Sequence, residues 1–175
     1  MKTEFQDGNQ GFLALVNENR PRILKICRVY AWNREDQDDL YQEILVQIWR
    51  SLPSLKEAVH ADTWLYRVAL NTAISFLRKR AARKAASTLS FDHEQLSRVA
   101  DEHQVASQED SPQLAALYES IAKLDEVEKA LITLFLEDLS YEQMAEVLGI
   151  SPSHVGVMLH RVKKKLAMLT QEVLP

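Results

Sequence analysis

Apolar residues recur at helical spacing through two blocks of the chain, about 10–84 and 112–170, and thin out between them. In the first block, Phe12 to Asn19 reads as one helix and Pro21 as the opening of the next, Arg22 to Trp32. Asn33 to Asp38 is a polar turn, and Asp38 or Asp39 caps a helix running to Ser51 or Leu52, where Pro53 stops it. Leu55 to Ala61 is a loop or short helix. Asp62 or Thr63 then caps a helix from Trp64 to about Lys84. In the second block, Gln113 to Lys123 is helical. Asp125 with Glu128 makes a capping box for Glu126 to Glu137.

The stretch SYEQMAEVLGISPSHVGVMLHRVKKKLAM, Ser140 to Met168, reads as a helix-turn-helix. Ser140 and Gln143 form another capping box; Met144, Ala145 and Leu148 give the first helix an apolar side. Gly149 supplies the turn, and Ile150 fills the angle. Ser151 followed by Pro152 is an N-cap with proline at the first helical position. At about 100° per residue, Val155, Leu159, Val162, Leu166 and Leu169 share one side of the second helix. Ser153, His154, Val157, Arg161 and Lys164 share the other. Short polar groups near the front and cations behind suit base edges and phosphates, although a solvated basic face would look the same.

With 4 Gly, 5 Pro and few β-branched runs, the expected fold is all-α: two small helical domains joined by a flexible linker, the C-terminal one a helix-turn-helix. The linker, 85–111, is acidic (Asp92, Glu94, Asp101, Glu102, Glu109, Asp110), with a short helical turn expected around Phe91 to Val99. Net charge is −4, so the chain is no general nucleic-acid coat. Its cations instead cluster at Arg78, Lys79, Arg80, Arg83 and Lys84, and at Arg161, Lys163, Lys164 and Lys165. The single cysteine, Cys27, sits among Ile23, Leu24 and Ile26 and reads as a buried thiol. A polar N-terminus and the lack of any membrane-length apolar run point to a cytoplasmic protein without membrane insertion.

Two helices in the first block carry ambiguous faces. From Asp39 to Arg50, Leu40, Tyr41, Ile44, Leu45, Ile48 and Trp49 form an apolar arc, opposed by Asp39, Gln42, Glu43, Gln47 and Arg50 with Val46 among them. That back is either solvated or a protein-docking face. From Trp64 to Lys84, Leu65, Tyr66, Ala69, Leu70, Ala73, Phe76 and Leu77 oppose Trp64, Arg67, Asn71, Ile74, Ser75 and Arg78. Aromatic, polar and cationic groups in one stripe suit unpaired bases and their backbone. The alternative is a packed Trp64 beside solvated arginines.

These residues carry a resemblance. DDLYQEILVQIW followed by TWLYRVALNTAISFLRKR resembles the second region of bacterial RNA polymerase sigma factors, and LSYEQMAEVLGISPSHVGVMLHRVKKKL resembles their fourth. Their order and spacing are similar to the two-domain extracytoplasmic-function (ECF) type, over about Phe12 to Leu169. The resemblance implies region 2 at 10–84, a linker at 85–111 and region 4 at 112–170. Asp39, Gln42, Glu43, Val46, Gln47 and Trp49 would dock on the clamp helices of core RNA polymerase, whose flap is a second contact. Leu55 to Ala61, with Trp64, Arg67, Asn71, Ser75, Arg78, Lys79 and Arg80, would melt the minus-ten element and hold a flipped base, Asn71 first among them. Ser153, His154, Val157, His160, Arg161 and Lys164 would read the minus-thirty-five element. An anti-sigma factor is a further implied partner. The chain departs from the family at Gly156, Val157 and Met158, where a basic residue, a serine and an arginine usually follow the helix's valine.

Catalysis, metals and cofactors are not expected. His60, His93, His103, His154 and His160 lack ligand spacing, and glycine is too scarce for a phosphate-binding loop. A response-regulator-like activator would need alternating strands in the first block. A polymerase-binding module that has lost DNA reading remains a rival.

Overall fold

The computed structural model describes residues 8–55, 61–88 and 111–173. Seven α-helices and one 3₁₀ turn make up these segments: α1 Gly8–Tyr30, α2 Arg34–Ser51, the 3₁₀ turn Leu52–Ser54, α3 Ala61–Thr88, α4 Pro112–Ala122, α5 Glu126–Phe135, α6 Tyr141–Leu148 and α7 Pro152–Val173. The expected all-α, two-region architecture is found.

Helix α1 runs unbroken through Pro21, where two helices were expected. Proline removes one intrahelical hydrogen bond and crowds the preceding turn. Burial explains why the helix continues. Leu15, Val16, Asn19, Ile23, Ile26, Cys27 and Tyr30 are buried at helical spacing on both sides of an exposed Pro21. Asn19 also donates its side-chain amide to the Leu15 carbonyl at 2.9 Å, in the turn before the proline. The α2 cap also differs from expectation. Asn33, not Asp38 or Asp39, is the N-cap, accepting from the Asp36 backbone N–H at 2.8 Å. Helix α3 starts at Ala61 and continues to Thr88, so its last turn takes in residues that read as linker. The expected helical turn at Phe91–Val99 and most of the loop at 56–60 lie outside the described residues.

Helices α1, α2 and α3 form an N-terminal lobe around fully buried Ile23, Ile26, Leu40, Ile44, Ile48 and Leu65. Each such side chain contributes roughly 1.5–3 kcal/mol by leaving water. Helices α4 to α7 form the C-terminal lobe around Ile121, Leu131, Leu134, Met144, Val155 and Leu159. Its punctuation follows the sequence closely. Both capping boxes, Asp125 with Glu128 and Ser140 with Gln143, are formed in both directions. Gly149 ends α6 in the left-handed region, with φ of 69°. The Ser151 hydroxyl accepts from the His154 N–H at 3.2 Å.

The lobes pack against each other, α3 on α6 and α1 on α4 and α5. Tyr30 crosses the seam, donating its hydroxyl to the Glu126 carbonyl at 3.0 Å. Among the described residues, no helix is long and apolar enough to cross a membrane.

Candidate nucleic-acid and protein interfaces

Helix α2 presents its polar back to solvent because Leu40, Ile44 and Ile48 anchor its other side. Asp39, Gln42, Val46 and Trp49 are exposed on that back, and Glu43 and Gln47 are half-buried. Trp49 belongs to this surface, although the helical projection plots it on the apolar arc. Nearly half of it is exposed, and its ring meets Phe12 of α1 edge-on at 5.1 Å between centroids. The result is an acidic rim around an apolar Val46–Trp49 centre, a composition suited to protein docking.

The α3 stripe is less uniform than the helical projection implied. Asn71 and Ser75 are exposed, and Arg67 and Arg78 flank them. Trp64 and Ile74 are only partly exposed and pack on the core, so Trp64 offers part of its ring to solvent. Every predicted cation here has a protein partner. Arg67 donates to the backbone carbonyl of Glu146 on α6. Arg78 pairs with Glu126 on α5 at 2.7 Å, and that contact raises its pKa above the usual guanidinium value. Lys79 pairs with Glu43 at 3.1 Å, joining a predicted DNA residue to a predicted docking residue. Arg80 pairs with Asp36 near the start of α2.

Sequence reasoning missed the group that joins the lobes. Glu137, in the turn between α5 and α6, receives Lys25 and the Tyr66 hydroxyl, the latter at 2.8 Å, with Arg22 at 3.7 Å. No sequence signal marks it, because its partners lie 71 to 115 residues away. Burial first, and then the Glu137 hydrogen bond, raises the Tyr66 pKa, so the phenol stays protonated as the donor.

On α7 the division is clean. Val155, Leu159 and Val162 are buried, and Ser153, His154, Val157, His160, Arg161 and Lys164 are all exposed. Gly156 faces Tyr141 of α6, whose ring edge lies 3.4 Å from where a β-carbon would sit. Val157 is a half-exposed apolar side chain in an otherwise polar stripe.

The sigma-70 region 2 family model matches residues 15–83, the three-helix lobe, and the sigma-70 region 4 model matches 114–166, the helix-turn-helix lobe. The RNA polymerase sigma factor YlaC of Bacillus subtilis is 30% identical, over 75% of this chain and 76% of its own. The chain belongs to the sigma-70 family of RNA polymerase sigma factors, in its ECF group. The ECF sigma-E factor of Haemophilus influenzae is 26% identical to this sigma factor over 97% of the chain and 91% of its own. The fold of this chain matches that of RpoE from Bartonella quintana, solved with the anti-sigma factor NepR, with a TM-score of 0.71 over 95% of this chain and 98% of that one at 20% identity. CnrH, solved with the cytosolic domain of CnrY, gives 0.60 over 94% and 90% at 21% identity. As a sigma factor, the protein acts in transcription initiation, with core RNA polymerase and promoter DNA as partners.

Proposed function

We propose that this sigma factor divides its work by region. Region 2, 10–84, would dock on the polymerase clamp through Asp39, Gln42, Glu43, Val46, Gln47 and Trp49, and open the minus-ten element along α3. Region 4, 112–170, would read the minus-thirty-five element through Ser153, His154, Val157, His160, Arg161 and Lys164. The observation that carries this reading is α7, whose polar and cationic side is wholly exposed while its apolar side closes the lobe's core. That geometry supports a helix laid in a major groove.

The chemistry is binding, not catalysis. Flipping a base from the stack costs a few kcal/mol. A pocket that hydrogen-bonds its edge and stacks on its face returns ~1–3 kcal/mol. Asn71 and Ser75 supply polar groups on α3, and Trp64 supplies part of a ring. The strand is thereby trapped open without hydrolysis. Two modest DNA sites fixed on one polymerase reinforce each other through effective concentration.

The flap of the polymerase would dock in the apolar groove of about 520 Å³ between α5 and α7, lined in part by Ile132, Phe135, Leu136 and Leu166. RpoE of Bartonella quintana, solved with the anti-sigma factor NepR, supports an anti-sigma partner here too. A chain with this role works in the cytoplasm. Runoff transcription with core polymerase on a promoter library tests the whole reading. Synthesis should start at defined sites; core binding without any initiation would overturn it.

A further inference from the structure

The seam between the lobes is held by ion pairs and hydrogen bonds of one polarity. Arg22, Lys25, Arg67 and Arg78 come from the N-terminal lobe, and the acceptors, Glu126, Glu137 and the Glu146 carbonyl, come from the C-terminal lobe. Two of the four cations, Arg67 and Arg78, lie on the stripe assigned to the open strand. The other two lie on α1 and have no assigned role. All four lie on the surface that the C-terminal lobe covers. Arg22 reaches Asp62 near the start of α3 at 2.9 Å and sits 5.8 Å from the Tyr66 ring. Lys25 and Tyr66 meet on the same carboxylate.

We propose that Arg22 and Lys25 of α1 form, with Arg67 and Arg78 of α3, one phosphate-binding face for unpaired promoter DNA, and that Glu126 and Glu137 occupy it as phosphate stand-ins while the free chain is closed. The proposal deepens the region-2 reading above and rests on it. Carboxylate and phosphodiester oxygens accept the same charge-assisted hydrogen bonds from guanidinium and ammonium groups. Arg67 and Arg78 are eleven residues apart, roughly 16 Å along a helix, a span longer than one phosphate group. A cation row of that length, with Arg22 and Lys25 on the same covered surface, follows a backbone rather than a single anion. The same atoms cannot serve region 4 and DNA at once, so strand binding requires the lobes to part. The Arg78–Glu126 pair is exposed, so it is weak and screened by salt, which favours opening of the closed form.

The test uses the full-length chain and a fluorescent 20-nucleotide single-stranded DNA, titrated by anisotropy at several salt concentrations, with small-angle scattering for lobe separation. E137Q should expand the particle and bind the oligonucleotide about tenfold more tightly, because a larger share of molecules is open. In that open background, R22Q/K25Q/E137Q should bind several-fold more weakly than E137Q. Its log K against log salt slope should be smaller by ~1.4, ~0.7 for each lost phosphate contact. K25Q/E137Q, which keeps Arg22 and its contacts with Asp62 and Tyr66, should lose half of that slope and guards against a folding artefact. Equal affinity and slope for E137Q and both combined variants would assign the α1 cations to the seam alone and overturn the proposal. An E137Q chain that neither expands nor binds more tightly would overturn the stand-in role. Wild-type chain is run beside these on promoter opening with core polymerase. Initiation there, with no effect of the variants on the oligonucleotide, sinks this inference and leaves the region-2 reading standing.

Discussion

Tyr30 and Cys27 lie one turn apart on α1, both almost wholly buried. Burial is the main cause that raises both pKa values, the Cys27 thiol to about 12 and the Tyr30 phenol beyond that, with Glu126 and Asp125 adding to the tyrosine's shift. The folded chain therefore holds these protons to higher pH than the unfolded chain does. Their contribution to stability is complete below the ordinary thiol and phenol values and is lost as pH rises above them. Each such proton should cost ~1.4 kcal/mol per pH unit in that window. Urea unfolding between about pH 8 and about pH 11 should show the decline, and Tyr30→Phe should flatten it; a variant profile parallel to wild type would remove Tyr30 as a cause. Asn71 is a different kind of residue, exposed and without a structural duty to the core. Asn71→Ala should reduce promoter melting, followed by permanganate reactivity of unpaired thymines, far more than core-polymerase affinity. Equal losses in both would contradict base contact.

Short-range chemistry set most of the elements. Capping boxes, an N-cap serine and a left-handed glycine act within one turn, so the start of α5, both ends of α6 and the start of α7 were readable from sequence, whereas α5 ends at Phe135, two residues before the expected Glu137. Gly149→Ala should cost about 1 kcal/mol. A β-carbon there meets nothing within 4 Å, so the loss would come from the backbone alone. A urea midpoint unchanged by the substitution would contradict the strain. The elements misread were those where packing overrode a local signal. Pro21 should have broken α1, but apolar burial on both sides carries the helix through it. Helix α2 also shows why a projection alone left its back ambiguous. Trp49 plots with the core arc, yet it lies on the surface against Phe12. Charge reversal by Asp39→Lys with Glu43→Lys should weaken core-polymerase binding at least about tenfold. Lys79→Gln is the control, because Glu43 also holds Lys79. If Lys79→Gln weakened binding equally, the effect would come from the lost internal pair and not from docking.

Across the whole molecule, the two proposed DNA surfaces stand in different states. The α7 face is open to solvent, whereas Arg67 and Arg78 of the α3 stripe are engaged by the other lobe. Duplex contact through α7 should therefore be the stronger activity of the free chain. Arg161→Gln with Lys164→Gln should reduce the salt slope of minus-thirty-five duplex binding by ~1.8, ~0.9 for each phosphate contact. An unaltered slope would show that neither cation touches phosphate.

Local rules in the amino-acid order were enough to specify an all-helical chain, the helix-turn-helix, the exposed polar side of its second helix and the membership of most helices in their lobes. Those features depend on periodicity and on caps acting over three or four residues. The docking of one lobe on the other depends on Glu137 meeting Lys25 and Tyr66, and on Glu126 meeting Arg78. Contacts between residues tens of positions apart leave no mark on helical periodicity. They arise only when packed helices bring distant charges to one surface, so the occupied state of the α3 stripe required the folded chain.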